Sequence, residues 1–230
     1  TPSKLISCVT ERTDTINRYT SAAPNSSNGY VGSYSAGSSS KYNYSSDGKC
    51  FVAGRELPAV IPLTNDRATL TSFFTNATIG GATPGHLGTA WARYLISPEW
   101  SDVWPAASAP ASYTASNVIK AVILMTDGEY NIIHNGDSAV TQAKAHCDSM
   151  KAQGVQIYSV GFGFSTSSLP TDNTAEGKAK EVLKYCATSD AHYFVPYDGA
   201  ALRTAFSNIG TALTTQATST TTTKAARVKD

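Results

Sequence analysis

Residues 118–131 read Val118-Ile-Lys-Ala-Val-Ile-Leu-Met-Thr-Asp-Gly-Glu-Tyr-Asn131, and the rest of the chain takes its meaning from them. Seven of the first eight are apolar and several are β-branched. The run is too short to span a membrane and too continuous for a strand with one wet face, which predicts a strand buried on both sides. It stops at Thr126-Asp127-Gly128. In an open parallel sheet, ligands sit outside the carboxyl ends of the strands, so an aspartate on a glycine turn there is aimed at the binding crevice. Asp127 is the first candidate site residue, with the plainer alternative that Asp-Gly is a common turn in any α/β protein.

Moving upstream, Asn65 or Asp66 caps a helix running to about Ala77, with Leu70, Phe73, Phe74 and Ala77 on one stripe. A second helix starts near Pro84, points Leu87, Trp91, Tyr94 and Leu95 inward, and stops at Ser97-Pro98. Downstream, strand and helix alternate. A helix from about Ser138 to Gln153 presents Val140, Ala143, Cys147 and Met150 and ends on Gly154. A strand follows over Val155–Gly163, then a helix over Ala175–Ala187 with Cys186 on its inner face. His192–Val195 makes a third strand, and the last helix, Gly199–Leu213, lines up Leu202, Ala205, Phe206, Ile209 and Leu213. The fold class is α/β, a mainly parallel doubly wound sheet with helices on both faces.

The organisation is threefold: an irregular insertion over 1–58, the α/β unit over 59–213 and a threonine-rich tail over 214–230. Residues 25–40 are Gly, Ser and Tyr in loop order and hold no period. At 230 residues and 41% hydrophobic content the chain can bury a real core. A net charge of +1 without a Lys/Arg block argues against nucleic acid or an anionic membrane surface as the main partner. The opening Thr1-Pro-Ser-Lys4 lacks the apolar region of a signal peptide, so the chain is either cytosolic or has lost an exporting segment. Its four cysteines favour export, to a periplasmic, cell-surface or secreted location. They group as Cys8 with Cys50 around the insertion and Cys147 with Cys186 on successive helices, without the C-x-x-C spacing of zinc ligands. Right-handed crossovers put those two helices side by side, so the second bridge requires a Cα separation within about 7 Å.

The stretch Gly81-Ala-Thr-Pro-Gly-His-Leu-Gly-Thr-Ala-Trp-Ala-Arg-Tyr-Leu-Ile-Ser-Pro98, taken with Leu124-Met-Thr-Asp-Gly-Glu-Tyr-Asn131, resembles a von Willebrand factor type A domain. More narrowly it is similar to the TadG-like branch associated with tight-adherence (Tad) pilus assembly in bacteria. Thr83, Gly88, Trp91, Ser97, Pro98 and Asp127 stand in the corresponding places, with Ala82 where a second glycine is usual. The later Gly154–Gly163 strand and Tyr185-Cys-Ala-Thr-Ser189 add to the likeness, which covers about residues 58–213.

The resemblance implies a divalent cation, Mg²⁺ by preference, at the carboxyl end of the sheet. Thr83 would give a hydroxyl oxygen and Asp127 a carboxylate, and an acidic group on a protein partner or pilus component would fill an open position. Mg²⁺ is a hard ion that takes oxygen ligands in octahedral array and usually keeps several waters. The family's Asp-x-Ser-x-Ser, which supplies most of the metal's oxygens, does not occur in these 230 residues. The expectation is that the first strands lie upstream of Thr1 or in another chain that completes the sheet, with the cation bound only when that strand is present. A membrane anchor, on the same expectation, would also be upstream.

Other chemistries are weaker. His86, His134, His146 and His192 have no zinc spacing, and His146-Cys-Asp148 on one helix face different ways, which a catalytic triad does not tolerate. Ser33-Tyr-Ser-Ala-Gly37 approaches a nucleophile elbow but has serine first and no strand before it. The sequence therefore points to an exported, non-enzymatic binding module of surface-appendage assembly. Its alternative is a structural subunit or cap of an extracellular filament that uses no metal, and a secreted hydrolase comes third.

Overall fold

The strands described before residue 59 are two to four residues long, and those after it, from residue 121 on, alternate with helices. The computed structural model of the chain describes residues 9–12, 14, 16, 18–25, 31–33, 43–44, 50–52, 55–56, 59–77, 83–128, 130, 132–133, 136–165 and 174–227. Strands β1 (Val9–Arg12) and β2 (Val31–Ser33) pair antiparallel. Strands β3 (Asn43–Tyr44), β4 (Cys50–Val52) and β5 (Arg55–Glu56) make a second small antiparallel sheet. Cys8, on which the expected bridge to Cys50 depends, lies outside the described residues, as do residues 34–37, Ala82, Glu129 and His134; Ser33 ends β2, so the expectation that no strand precedes the Ser33–Gly37 stretch is overturned.

Helix α1 (Arg67–Asn76) starts where its cap predicts, with the Asp66 carboxylate accepting from the Ala68 amide at 2.9 Å. Its apolar stripe does not behave as expected. None of its residues is buried, and Phe74 is 74% exposed. The helix forms from capping and local propensity, and among the described residues no surface covers its stripe.

Helix α2 (Gly85–Ile96) ends at Ser97, whose hydroxyl donates to the Arg93 carbonyl at 2.9 Å. The inward face also departs from expectation. Tyr94 is buried, but Leu87, Trp91 and Leu95 are only partly so, while His86, Thr89 and Arg93 are fully covered. After α2, Trp100 stacks on Tyr94 at 3.9 Å, and the Trp104 indole donates to the Tyr94 carbonyl at 3.1 Å. These contacts pin the 97–105 stretch, whose composition alone reads as loop.

The main sheet is parallel and runs β6 (Ala121–Thr126), β7 (Gln156–Gly161), β8 (Tyr193–Phe194). Helices α3 (Ala139–Ala152) and α4 (Ala175–Cys186) connect these strands. Ser138 caps α3 by accepting from the Thr141 amide at 3.1 Å, and Gly154 follows α3 at φ +74°, a left-handed conformation that costs glycine little. Thr174 caps α4 by accepting from the Gly177 amide at 3.0 Å.

One face of the sheet packs Val122, Leu124 and Ile157 against Ile96, Ala143, Met150, Val182 and Leu183. The other packs Tyr158 and Val160 against Ile209, Leu202 and Leu213 of helix α5 (Gly199–Arg227). Helices thus lie on both faces of the sheet. The α5 helix continues past Leu213, where the apolar period stops, through the threonine-rich stretch. Thr214, Thr215 and Thr218 donate their hydroxyls to carbonyls four residues back.

Cys147 and Cys186 join α3 to α4 with a Cα separation of 5.2 Å, within the range the bridge requires. Closing 39 residues is worth about 4 kcal/mol by chain entropy.

The expectation that β6 is buried on both sides is overturned. Val122 and Leu124 are buried, but Ile123 is 39% and Met125 47% exposed. These two share a face with Tyr158 and Val160, their partners in register, yet of β6 it is Ala121 that joins the cluster around Ile209 of α5, and Ile123 and Met125 do not. Among the described residues, nothing pairs with the outer edge of β6.

Candidate functional site

The carboxyl end of β6 turns sharply, and Thr126 holds the turn. Its hydroxyl accepts from the Gly128 amide and donates to the Gly128 carbonyl, both at 3.1 Å. Two residues on, Tyr130 meets Pro84 in an isolated antiparallel bridge. That bridge draws the start of α2 alongside the turn. A Cβ on Gly128 would lie 3.0 Å from Thr83 Oγ1, so the threonine hydroxyl sits against the residue that follows Asp127. A Cβ on Gly85 would lie 2.6 Å from the Tyr130 ring, so only glycine admits this approach of helix to aromatic. The Thr89 hydroxyl donates to the Gly85 carbonyl at 2.9 Å and keeps the first turn of α2 in place.

Thr83 and Asp127 therefore occupy the same rim of the sheet, although 44 positions separate them in sequence (127 − 83). Asp127 is exposed and Thr83 half-buried. Burial pushes the Tyr130 phenol above its ordinary value, with the Thr89 hydrogen bond opposing. That ring therefore serves as a neutral wall. Beside it a groove of about 480 Å³ opens between the amino ends of α3 and α4, lined by Ile133, Ser138, Val140, Ala175, Lys178 and Glu181. Neither Tyr130 nor Thr126 stands out in the sequence. The available signal was Pro84-Gly85, since a glycine at the second position of a helix start leaves room for a close neighbour.

Oxygen donors of the kind Mg²⁺ takes are present at the rim, a hydroxyl at Thr83 and a carboxylate at Asp127, but two donors do not make an octahedral cage. Among the described residues no group of three or more His, Cys, Asp or Glu side chains could hold a metal ion. The donor type fits and the number does not.

The remaining polar candidates scatter. His146 lies edge-on to Tyr19, Cys147 is in its disulfide, and Asp148 accepts from the Tyr185 hydroxyl at 2.8 Å, so the three consecutive residues serve three neighbours. His192 Nδ1 meets the Ser189 hydroxyl at 2.8 Å on the surface. His86 is buried on the Glu11 carboxylate at 2.7 Å, a contact that brings the N-terminal segment to the α2 helix. No described helix is long and apolar enough to cross a membrane.

No protein-family model matches the chain, and no curated protein is a significant match. Among solved structures, two crystal structures of the pilus adhesin SpaC from Lactobacillus rhamnosus GG, one in its open conformation, align with 75% of the chain. Each does so at 11% identity and a TM-score of 0.41. The aligned part is 22% of those proteins, so the chain spans about a fifth of their length, and at that score nothing of their function transfers to it.

Proposed function

We propose that this chain is an exported, non-enzymatic binding module of von Willebrand factor type A architecture. It would engage a protein partner at the Thr83/Asp127 rim during assembly of a bacterial surface appendage of the tight-adherence type. What supports this is the convergence of the Thr83 hydroxyl on the Asp127-Gly128 turn, at the sheet end where ligands of parallel α/β folds sit. A divalent cation joins the rim only where an upstream or partner strand adds further oxygens, because the two donors in hand are too few. The test is calorimetric titration with Mg²⁺ and Mn²⁺ of a chain extended upstream, with and without Asp127→Ala. Binding in the parent that weakens by at least roughly ten-fold in the variant is expected, since losing a carboxylate ligand costs well over 1.4 kcal/mol. Equal titration curves in the two proteins would remove the rim from consideration.

A second reading has its own observation. With Ile123 and Met125 exposed, β6 has an apolar edge on which no strand pairs among the described residues, and it carries neither proline nor a bulge, the usual protections of an edge. A structural subunit or cap of an extracellular filament would use that edge for packing, completed by an upstream segment or by another chain, and would need no metal. Under this reading Met125→Lys blocks assembly and Asp127→Ala leaves it intact. The first reading expects the reverse.

A further inference from the structure

Helices α3 and α4 run parallel and side by side, held by three ties. Cys147 bonds to Cys186, the Tyr185 hydroxyl donates to Asp148, and Lys144 meets Glu181, partners that stand 39, 37 and 37 positions apart. This nearly constant offset sets the register, so residues 138–140 at the start of α3 face residues 175–178 at the start of α4. None of the three ties reaches the first turn of either helix. There Ala139, Val140 and Ala175 are too short to meet across the gap, and the groove of about 480 Å³ opens between them. That is a size that takes a small ligand or a short piece of chain.

The groove wall is mostly apolar, made by the Tyr130 ring, Ile133, Val140 and Ala175, and Ile133 is 45% exposed. Its charges are unequal. Glu181 is matched by Lys144 across the helices, whereas Lys178 is exposed and meets no carboxylate among the described residues. The nearby carboxylates are engaged elsewhere: Glu176 with Lys180 at 3.0 Å, and Asp137 as acceptor of the Tyr19 hydroxyl at 3.0 Å. The backbone adds charge of the same sign as Lys178. Ser138 takes up the Thr141 amide and Thr174 the Gly177 amide, and the positive ends of two helix dipoles, from helices of 14 and 12 residues, lie beside the lysine.

We propose that this groove binds an extended acidic segment of a partner protein, with a carboxylate side chain set against Lys178 and aliphatic neighbours on Ile133 and Val140. A carboxylate is an anion that helix amino ends and an ammonium group both accept. The apolar wall asks for an aliphatic flank, which separates such a segment from a simple inorganic anion. Neither Thr83 nor Asp127 lines the groove, so the site is separate from the rim and needs no cation.

The probe is the blocked tripeptide acetyl-Leu-Asp-Leu-amide, titrated into the isotope-labelled chain and followed by backbone amide shifts. Saturable shifts at Val140, Ala175 and Lys178, with Ile157 in β7 unmoved, are expected at a dissociation constant on the order of 1 mM. The Asn counterpart of the peptide should bind roughly three-fold or more weakly. Lys178→Glu should weaken the Asp peptide by roughly five-fold or more and leave the fold intact, since the side chain is exposed. Asp127→Ala should leave the titration unchanged. No saturation by about 20 mM, equal binding of the Asp and Asn peptides, or an unchanged constant in Lys178→Glu would each overturn the proposal. So would loss of binding in Asp127→Ala, which would put the peptide on the rim. Tighter binding of the free acid acetyl-Leu-Leu would overturn it too, because the occupant would then be a chain terminus.

Discussion

Between β7, α3 and α4, Ile157, Ala143, Cys147, Met150, Val182, Leu183 and Cys186 have no exposed surface at all, whereas along β6 the large apolar residues Ile123 and Met125 stand in water. Both regions come from equally apolar sequence. The first is covered because α3 and α4 return over it and a disulfide ties them. Among the described residues the second has no strand paired on its edge, and Ile123 and Met125 lie outside the cluster that α5 forms on their face. Apolar surface left in water forgoes about 25 cal/mol per Å² of stabilisation, so the β6 edge is a reserve of binding energy and the α3/α4 side has already used its own.

The largest effect that could break this contrast is removal of the tie. Replacing Cys147 and Cys186 together by alanine should lower unfolding free energy in urea by about 4 kcal/mol. A loss under about 1 kcal/mol would mean that the α3/α4 side is no better secured than the rest. Next, Ile157→Ala on the covered side should cost about 3 kcal/mol by the same measurement. Gly85→Ala, which forces a methyl group onto the buried Tyr130 ring, should cost about 1 to 3 kcal/mol and raise any rim-binding constant with it. The smallest is the most telling. Met125→Ala should change stability by less than about 0.5 kcal/mol in this chain. Once a partner or upstream strand covers β6, the same change should cost about 2 kcal/mol or more.

Element positions were legible in the sequence because their signals are local. Asp66, Ser138 and Thr174 cap their helices from adjacent positions, and Gly154 ends α3 by its own backbone freedom. The pairing of Cys147 with Cys186 followed from crossover handedness. What could not be read was anything set by a distant partner. The run Val122–Met125 has the same composition whether or not a strand lies beside it, so double-sided burial was the wrong inference. The inward face of α2 was misjudged for a related reason. His86 and Arg93 can be buried only because Glu11 and the Tyr19 carbonyl meet them, and those come from a stretch with no period of its own. At the rim, nothing local in the sequence joins Thr83 to Asp127, and Tyr130, which links their two segments through its bridge to Pro84, carries no mark in sequence.

The covalent link between α3 and α4 also redirects tension. A pull along the backbone passes from Cys147 to Cys186 through sulfur, bypassing β7 and most of α4. With the two cysteines 39 positions apart, roughly 130 Å of contour length is withheld from stretching until the bond is reduced. A tether made from this domain would therefore lengthen under load by that much less than its residue count allows.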